Sequence, residues 1–275
     1  MMSGARFPAM IALLVLAFPV SAELDVPYVP TPQVVVDEML RVARVGPQDF
    51  VMDLGSGDGR ILIDAARKFG AHGVGVELDD ALLAQSIENA QAAGVDDRVQ
   101  FRKEDLFKAD LSPATVITMY LVPRVNERLR PRLLTLKPGT RIVSHDFDLQ
   151  DWRPDEKHTI RKNVFLWIVP AQVAGRWHAR LALPGGALNV DFELKQHFQE
   201  LDGVARADER IIPLWEMQIS GERVRFVMVD GRDREHEASL YFEGRVHGDV
   251  MEGEIRRGVG KAETRLPWRA ARSPL

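Results

Sequence analysis

Apolar positions follow two different periods along this chain, and the change of period divides it into two halves. Between about residue 47 and residue 145, short apolar runs alternate with segments in which apolar side chains recur every three to four residues. The run 50–54, for example, ends in a glycine-rich turn, and the segment after it has a helical pattern. Repetition of strand, loop and helix predicts a doubly wound, parallel α/β sheet with helices on both faces.

The same pattern places the individual elements of the first half. Thr31 and Pro32 predict the N-cap and first turn of a helix that runs from Gln33 to Val45. Either Asp79 or Asp80 opens a later helix. The remaining predictions are strands at 50–54, 73–78, 99–102, 115–121 and 141–144, and helices that end near residues 94 and 136.

From about Val173 onward, apolar side chains occupy every second position, which predicts strands with one buried face. The stretch 242–255 reads as a hairpin. We expect roughly eight short antiparallel strands in a small barrel or sandwich. Trp177 and Trp268 lie in similar segments at the two ends, which suggests that the first and last strands pair and close a barrel. The alternative is two unrelated core tryptophans.

The N-terminus has the pattern of an export signal, with Arg6 before an apolar run at 8–20 and small residues at 20–22. The run is shorter than the roughly 18 to 20 residues that span a bilayer, which favours cleavage over an uncleaved anchor. The predicted division is a signal peptide at 1–22, an α/β domain at 23–170 and an antiparallel β domain at 171–275. An exported protein, periplasmic or membrane-associated in a bacterium, is expected, with a cytoplasmic location as the alternative. Membrane contact would come only through the N-terminal segment, if that segment is not cleaved.

Composition narrows the classes of ligand. The formal net charge is −4, the sequence pI is about 6.0, and no long basic stretch is present, so no nucleic-acid partner is expected. The absence of cysteine excludes thiol chemistry and thiolate metal sites. The seven histidines are scattered without the close helical spacing of zinc motifs, so no metal site is predicted.

The strongest chemical signal is the loop Asp53-Leu54-Gly55-Ser56-Gly57-Asp58-Gly59 after the first strand. Its glycines allow the backbone to approach a ligand closely before the next helix. A dinucleotide fingerprint would read GxGxxG, whereas here Arg60 follows the third glycine directly. The spacing therefore disfavours a nicotinamide-dependent oxidoreductase.

Acidic residues end the next two predicted strands. Glu77 stands where a carboxylate can accept both hydroxyls of a ribose, and Asp105, followed by Leu106, stands where an acid can accept from an adenine amino group. Each acid alone is explained as easily by a helix cap or a solvated turn. Together with Asp53, they indicate a nucleoside site at the ends of three successive strands.

On these motifs, residues 47–145 resemble the class I S-adenosylmethionine (SAM) dependent methyltransferases. The resemblance implies that the domain at 23–170 has a Rossmann-like SAM-binding sheet, with SAM as the cofactor and methyl transfer as the activity. It implies that Asp53 supports the SAM amino group, that Glu77 binds the ribose, and that Asp105 with Leu106 frames the adenine. The implied cofactor loop consists of Gly55, Ser56, Gly57, Asp58 and Gly59.

A closer resemblance rests on Tyr28-Val29-Pro30, on the loop at 53–61 and on Tyr120-Leu121-Val122-Pro123. These segments are similar to the mitochondrial lysine methyltransferases that act on the c subunit of ATP synthase or on the adenine nucleotide translocase. The resemblance implies that Tyr120 shapes the substrate channel as the catalytic candidate and that Tyr28 closes over SAM; a plain strand-end tyrosine is the alternative for Tyr120. His145 and Asp146 face the same rim, and a structural role for them is favoured over a role in deprotonation.

The signal and the β domain depart from those enzymes, so the acceptor is left unidentified, with a protein lysine as one option. The competing hypothesis is a β domain that binds a ligand or a protein, carried on an inactive SAM-binding fold. The intact glycines and acids favour the enzyme. The role of the β domain, the oligomeric state and the supply of SAM to an exported protein are left open.

Overall fold

A computed structural model describes residues 28–230, 238–257 and 263–273. The predicted signal peptide at 1–22 lies outside the described residues. Within the described ranges, four helices and fifteen strands form. The helices are α1 (Gln33–Val42), α2 (Arg60–Phe69), α3 (Asp80–Ala92) and α4 (Pro123–Leu133). In the described part of the chain, no helix is long and apolar enough to cross a membrane.

The first half forms one sheet of seven strands, with the order β3-β2-β1-β4-β5-β7-β6. Its strands are β1 (Phe50–Leu54), β2 (His72–Glu77), β3 (Val99–Lys103), β4 (Val116–Met119), β5 (Arg141–His145), β6 (Glu156–Ile160) and β7 (Lys162–Ile168). One apolar cluster joins the sheet to α1, α2 and α3, and a second joins its other face to α4. The predicted doubly wound α/β architecture is confirmed.

The expectation of a wholly parallel sheet is wrong at one edge. Strands β1 to β5 pair in parallel, whereas β7 runs antiparallel to β5 and β6 runs antiparallel to β7. Only Arg161, in a left-handed conformation, separates β6 from β7, and so short a connection permits an antiparallel hairpin alone. Strand β6 lies at the sheet edge and has a mostly polar sequence, so the hydrophobic pattern did not predict it.

The first helix also differs from its prediction. It ends at Val42 rather than at Val45, and Arg44 then takes a left-handed conformation before the Gly46-Pro47 turn. The N-cap position falls on Pro32, and Thr31 does not cap the helix, because its hydroxyl lies 3.2 Å from Nδ1 of His145. The prediction for α3 is confirmed, since the Asp79 carboxylate accepts hydrogen bonds from the second and third N–H groups of the helix.

The second half is a closed antiparallel barrel of eight strands in the described part of the chain. These are β8 (Gly175–Leu183), β9 (Gly186–His197), β10 (Glu200–Ala207), β11 (Arg210–Ser220), β12 (Arg223–Asp230), β13 (Ala238–His247), β14 (Val250–Arg257) and β15 (Thr264–Arg272). The first and last strands pair as predicted, with Ala270 opposite Ala179 and Arg272 opposite Trp177. Because β8 and β15 pair with each other, neither strand exposes a free sheet edge where they are paired.

Aromatic side chains fill the barrel. Phe192, Phe226 and Phe242 pack against one another and against Trp268, with ring centroids 4.5–6.5 Å apart. Trp268 lies opposite Gly253 in the strand register, and its Nε1 donates to the backbone oxygen of Glu243. The missing side chain at Gly253 thus allows β13 and β14 to approach closely, where an added Cβ would lie 2.1 Å from the Glu243 oxygen.

The barrel packs on α4 through the turn between β9 and β10. Phe198 in this turn stacks on Trp152, and the Arg130 guanidinium of α4 lies over the Phe198 ring. Gln199 accepts a hydrogen bond of 2.8 Å from the indole nitrogen of Trp152. The barrel therefore contacts the helix whose first turn follows β4 and borders the cavity described below.

We predict that Gly253→Ala lowers the free energy of unfolding by about 1–3 kcal/mol, because the new methyl group overlaps backbone atoms that cannot move independently of the barrel. Thermal denaturation followed by near-ultraviolet circular dichroism measures the change. Gly46→Ala is the matched control, since an added Cβ there meets no described atom within 4 Å. Equal melting temperatures for both variants would contradict this account of the barrel.

Candidate active site

A cavity opens at the carboxyl ends of β1, β2, β3 and β4, which is where open α/β sheets bind ligands. It contains about 1030 Å³ of empty space, part of it open to solvent. The structure brings almost all of the residues predicted for the site to this one cavity. Those that line it are Tyr28, Asp53, Gly55, Ser56, Gly57, Asp58, Glu77, Asp105, Leu106 and Tyr120.

The glycine loop needs its glycines for two different reasons. Gly55, Gly57 and Gly59 all have positive φ angles, a conformation that side chains with a Cβ rarely adopt. A Cβ on Gly57 would lie 2.5 Å from the Tyr28 ring, so the bare backbone lets Tyr28 lie against the loop. Gly59 does not line the cavity; a Cβ there would lie 2.6 Å from Phe101. The absence of a side chain at Gly59 instead allows the loop to pack against Phe101.

The Glu77 carboxylate is fixed by the backbone. One oxygen accepts a 2.9 Å hydrogen bond from the Gly57 N–H, and the other accepts from the N–H groups of Leu78 and Asp79 at 2.8 and 3.0 Å. Oε1 thus already accepts two hydrogen bonds, whereas Oε2 accepts one and keeps a lone-pair site free. The side chain is thereby held at the cavity wall, with Oε2 able to accept from a ligand.

Asp53 is buried at the floor of the cavity. One carboxylate oxygen accepts a 2.7 Å hydrogen bond from Thr118, while Oδ2 and the nearby, buried Ser56 hydroxyl have no partner among the described residues. Burial raises the pKa of Asp53 to about 7, with smaller contributions from the Glu77 and Asp58 charges and opposition from the Thr118 hydrogen bond. A buried carboxylate oxygen without a hydrogen-bond partner favours the binding of a cationic donor group of a ligand.

Residues 28–31 line the cavity beside the glycine loop, and this segment is called the roof below. Arg60 holds the roof in place. The Arg60 guanidinium pairs with Asp58 through three hydrogen bonds and donates a fourth, of 2.9 Å, to the backbone oxygen of Thr31. Burial raises the pKa of Tyr28, and the charge of Asp58 adds to this. Burial also raises the pKa of Asp58, but the hydrogen bonds and charge of Arg60 lower it on balance.

The third acidic position, Asp105, lines the cavity just after the end of β3. Asp105 accepts a 2.9 Å hydrogen bond from the Phe107 N–H, which orients its carboxylate. The Arg128 guanidinium of α4 covers the Phe107 ring at 3.7 Å from its centroid. Leu78 also borders the cavity and leaves 44% of its surface exposed. Apolar surface beside a hydrogen-bonding acid suits a purine base.

Tyr120 marks the other end of the cavity. It follows β4 directly, and its ring lies 3.9 Å from that of His145 and 6.2 Å from that of Phe147, measured between centroids. His145 is 1% exposed, and burial lowers its pKa to about 4. Tyr120 and His145 therefore lie together at one rim, as predicted. His145 packs behind Tyr120, however, and does not line the cavity.

Several lining residues were missed by the sequence analysis. Arg60 carried a signal, because it begins the helix after the glycine loop, but its pairing with Asp58 and Thr31 depends on tertiary contacts. Phe107 lies in the turn after β3 and Val125 in the first turn of α4, and nothing in their local pattern marks them as site residues. In the described ranges, no group of three His, Asp or Glu side chains could hold a metal ion.

Comparisons with known proteins bear directly on this cavity. Residues 53–156 match the family model of the ANTKMT methyltransferase domain, and that match ends before the barrel begins. A protein-lysine N-methyltransferase of Saccharolobus islandicus is 49% identical over 133 residues, which cover 48% of this chain and 83% of the relative. An adenine nucleotide translocase lysine N-methyltransferase of Mus musculus is 36% identical over 137 residues, which cover 49% of this chain and 59% of the relative.

A solved structure is similar over the same fraction of the chain. It is the crystal structure of an RNA methyltransferase from Salinibacter ruber in complex with S-adenosylhomocysteine, at 52% identity and a TM-score of 0.52. The match covers 53% of this chain and 96% of that one. The resemblance to class I SAM-dependent methyltransferases is confirmed, and SAM is the cofactor.

The residues of the cavity fit SAM. The second Asp53 oxygen suits its ammonium group, the fixed Glu77 carboxylate suits vicinal ribose hydroxyls, and the acid and apolar surface around Asp105 suit adenine. Three carboxylates also suit the positive charge of a sulfonium ligand. These individual roles are predictions, and two of them are testable by binding.

We predict that Glu77→Gln weakens SAM binding about tenfold to hundredfold, because the amide offers one acceptor oxygen in place of two and loses charge-assisted hydrogen bonds worth roughly 1.5 to 3 kcal/mol. Isothermal titration calorimetry measures the dissociation constant. Glu88→Gln, on the exposed face of α3, is the control and should bind as the wild type does. Unchanged affinity in the Glu77 variant would remove Glu77 from the site.

We predict that SAM binding releases protons near neutral pH. Asp53 has a pKa of about 7 in the free protein, and a bound ammonium group favours its ionised form, so affinity should rise about tenfold from about pH 6 to about pH 7.5. Calorimetry in buffers of different ionisation enthalpy counts the protons. Asp53→Asn should bind more weakly and without this pH dependence. A wild-type affinity that is flat over this range would show that Asp53 does not respond to the ligand.

Proposed function

Because this chain belongs to the ANTKMT methyltransferase family of SAM-dependent methyltransferases, we propose that it transfers a methyl group from SAM to the side-chain amine of a lysine in a protein. The chain is an enzyme with SAM as its cofactor, and the proposal concerns the acceptor. The relative from Saccharolobus islandicus supports it through its name, protein-lysine N-methyltransferase, and through 49% identity over most of its own length.

The geometry of the Tyr120 end carries this proposal. Tyr120 lines the cavity together with the apolar side chains of Leu121 and Val125, and none of these three side chains carries a charge at neutral pH. A lysine ammonium has an ordinary pKa of about 10.4 and cannot attack as a cation, but contact with an apolar wall lowers the pKa of an amine. Such a wall favours the neutral, nucleophilic form of a lysine side chain.

The chain has little covalent chemistry to perform. SAM supplies an activated methyl group on a sulfonium centre when bound. The residues of the cavity hold both reactants in line and exclude water, a contribution that can exceed any from a single catalytic group. With a pKa of about 4, His145 is a poor base at neutral pH, so the acceptor proton is expected to leave to solvent.

RNA is the competing acceptor class, because the similar structure from Salinibacter ruber bears the name of an RNA methyltransferase. The net charge of −4 speaks against it, since binding to nucleic acid depends mainly on cationic contacts with phosphates. Export through residues 1–22, which is also still a prediction, would place the enzyme away from most cellular RNA as well.

Transfer of tritium from labelled SAM tests the acceptor class. The protein without residues 1–22 is incubated with an extract of the organism that encodes it, and the products are divided between protease and ribonuclease treatments. We expect protease-sensitive label that yields methylated lysine on acid hydrolysis. At SAM concentrations below its dissociation constant, Glu77→Gln should reduce the label about tenfold or more, in proportion to its loss of binding.

Two results would overturn the lysine proposal. Label that ribonuclease releases would assign the enzyme to RNA, and label in a methylated amino acid other than lysine would keep a protein acceptor but replace its side chain. Equal label from the wild type and from Glu77→Gln would mean that another enzyme in the extract is responsible, and the purified acceptor would then show no transfer by this chain.

A further inference from the structure

We propose that His145 is a positioning residue that sets the Tyr120 ring at the acceptor end and links it to the roof of the cavity at residues 28–31. The inference rests on the proposed function in one respect only, which is the assignment of Tyr120 to the wall that binds the acceptor. The link itself follows from contacts among described residues and is testable without an acceptor.

The sheet places the two rings side by side. Strands β4 and β5 are neighbours, with Met119 opposite Ser144, so the next residues along both strands, Tyr120 and His145, meet at the same edge. Their centroids are 3.9 Å apart at an angle of 35°. Because this is van der Waals contact, the Tyr120 ring cannot move back from the cavity while the imidazole is in place.

The backbone after β5 holds the imidazole rigidly. Asp146 has a φ of 65°, and its N–H donates a 2.7 Å hydrogen bond to the Asn163 oxygen of β7. The Ser144 hydroxyl donates to the Phe147 oxygen at 2.6 Å, which closes a tight turn around His145. A residue in this position has little freedom to follow a moving partner, so it acts as a fixed support.

The second contact of His145 leads to the roof. Its Nδ1 lies 3.2 Å from the Thr31 hydroxyl, and the backbone oxygen of Thr31 accepts the hydrogen bond from Arg60. Tyr28, three residues before Thr31, lies against Gly57 of the cofactor loop. One side chain therefore contacts both the segment that covers the cofactor side and the ring that borders the acceptor side.

Support by an uncharged ring explains the burial of this histidine. Its side chain is almost wholly enclosed, and Nε2 has no hydrogen-bond partner within the described ranges. The charged groups that face it are Asp146 and Lys162, which pair with each other at 2.7 Å. Burial lowers its pKa to about 4, so the imidazole is neutral over the working range and packs as an aromatic ring.

Fluorine NMR on the full chain labelled with 3-fluorotyrosine tests the link directly. The sequence has only three tyrosines, Tyr28, Tyr120 and Tyr241, so the spectrum is simple, and single substitutions to Phe assign it. Tyr241 lies in the barrel and serves as an internal reference. S-adenosylhomocysteine is the probe ligand.

Two variants separate the two contacts of His145. His145→Asn keeps a polar atom for Thr31 but removes the ring; we expect it to broaden or split the Tyr120 signal and to leave Tyr28 unchanged. His145→Phe keeps a ring but offers no partner to Thr31; we expect a sharp Tyr120 signal, a shifted Tyr28 signal and a smaller response of Tyr120 to S-adenosylhomocysteine. His158→Asn, at the far edge of the sheet, is the control and should change none of the three signals.

Turnover on poly-L-lysine provides a second readout. We expect His145→Asn to lower kcat about tenfold with the KM for SAM unchanged, and His145→Phe to restore most of kcat, because small displacements of a reacting group have large effects on rate. An unchanged Tyr120 signal in His145→Asn would overturn the proposal. Equal losses of kcat in both variants, with loss of the acidic limb of the pH profile, would make His145 a base and would also overturn it. If the wild type did not methylate poly-L-lysine, that result would count against the lysine acceptor only. The NMR test of the His145 contacts does not depend on it.

Discussion

The hydrogen bond from the Gly57 N–H to the Glu77 carboxylate is the contact on which the cofactor site depends. It joins the glycine loop after the first strand to the end of the second strand, and two further backbone N–H groups fix the other carboxylate oxygen. Because Gly57 lacks a Cβ, the Tyr28 ring can also lie against the same loop. The loop, the roof and the Glu77 carboxylate are thus held together in the free protein, which lowers the ordering cost of binding.

The site combines this rigidity with one group that is left unsatisfied. Within the described part of the chain, the buried Asp53 keeps one oxygen without a partner, and its raised pKa reflects the cost of holding a charge there. A cationic group beside this carboxylate would relieve that cost, which is the physical basis for the predicted contact with the SAM ammonium group. At the other end of the cavity, Tyr120 and its neighbours offer apolar surface, which suits an amine that must react without its proton.

The barrel is joined to this machinery through α4. Its β9–β10 turn packs on Trp152 and beneath Arg130, and the first turn of the same helix follows the Tyr120 segment. The barrel therefore contacts the helix whose first turn, at Val125, lines the cavity beside Tyr120. Relatives that share the methyltransferase half match only about half of this chain, and the family match ends at residue 156, before the barrel begins.

The amino-acid sequence by itself determined the doubly wound half, the antiparallel β half and the cofactor, because these depend on local periodicity and on a loop whose residues are contiguous. It left a barrel and a sandwich both open, and the pairing of β15 with β8 decided for the barrel. It also identified three acids, since the carboxyl ends of parallel strands must meet at one edge. Only the tertiary structure decided that β6 and β7 run antiparallel, that Thr31 bonds His145 in place of capping α1, and that Gly59 serves packing. The polar β6 has no hydrophobic pattern that would predict it. The other two depend on partners distant in the chain, and a side chain carries no local mark of which distant group it will meet.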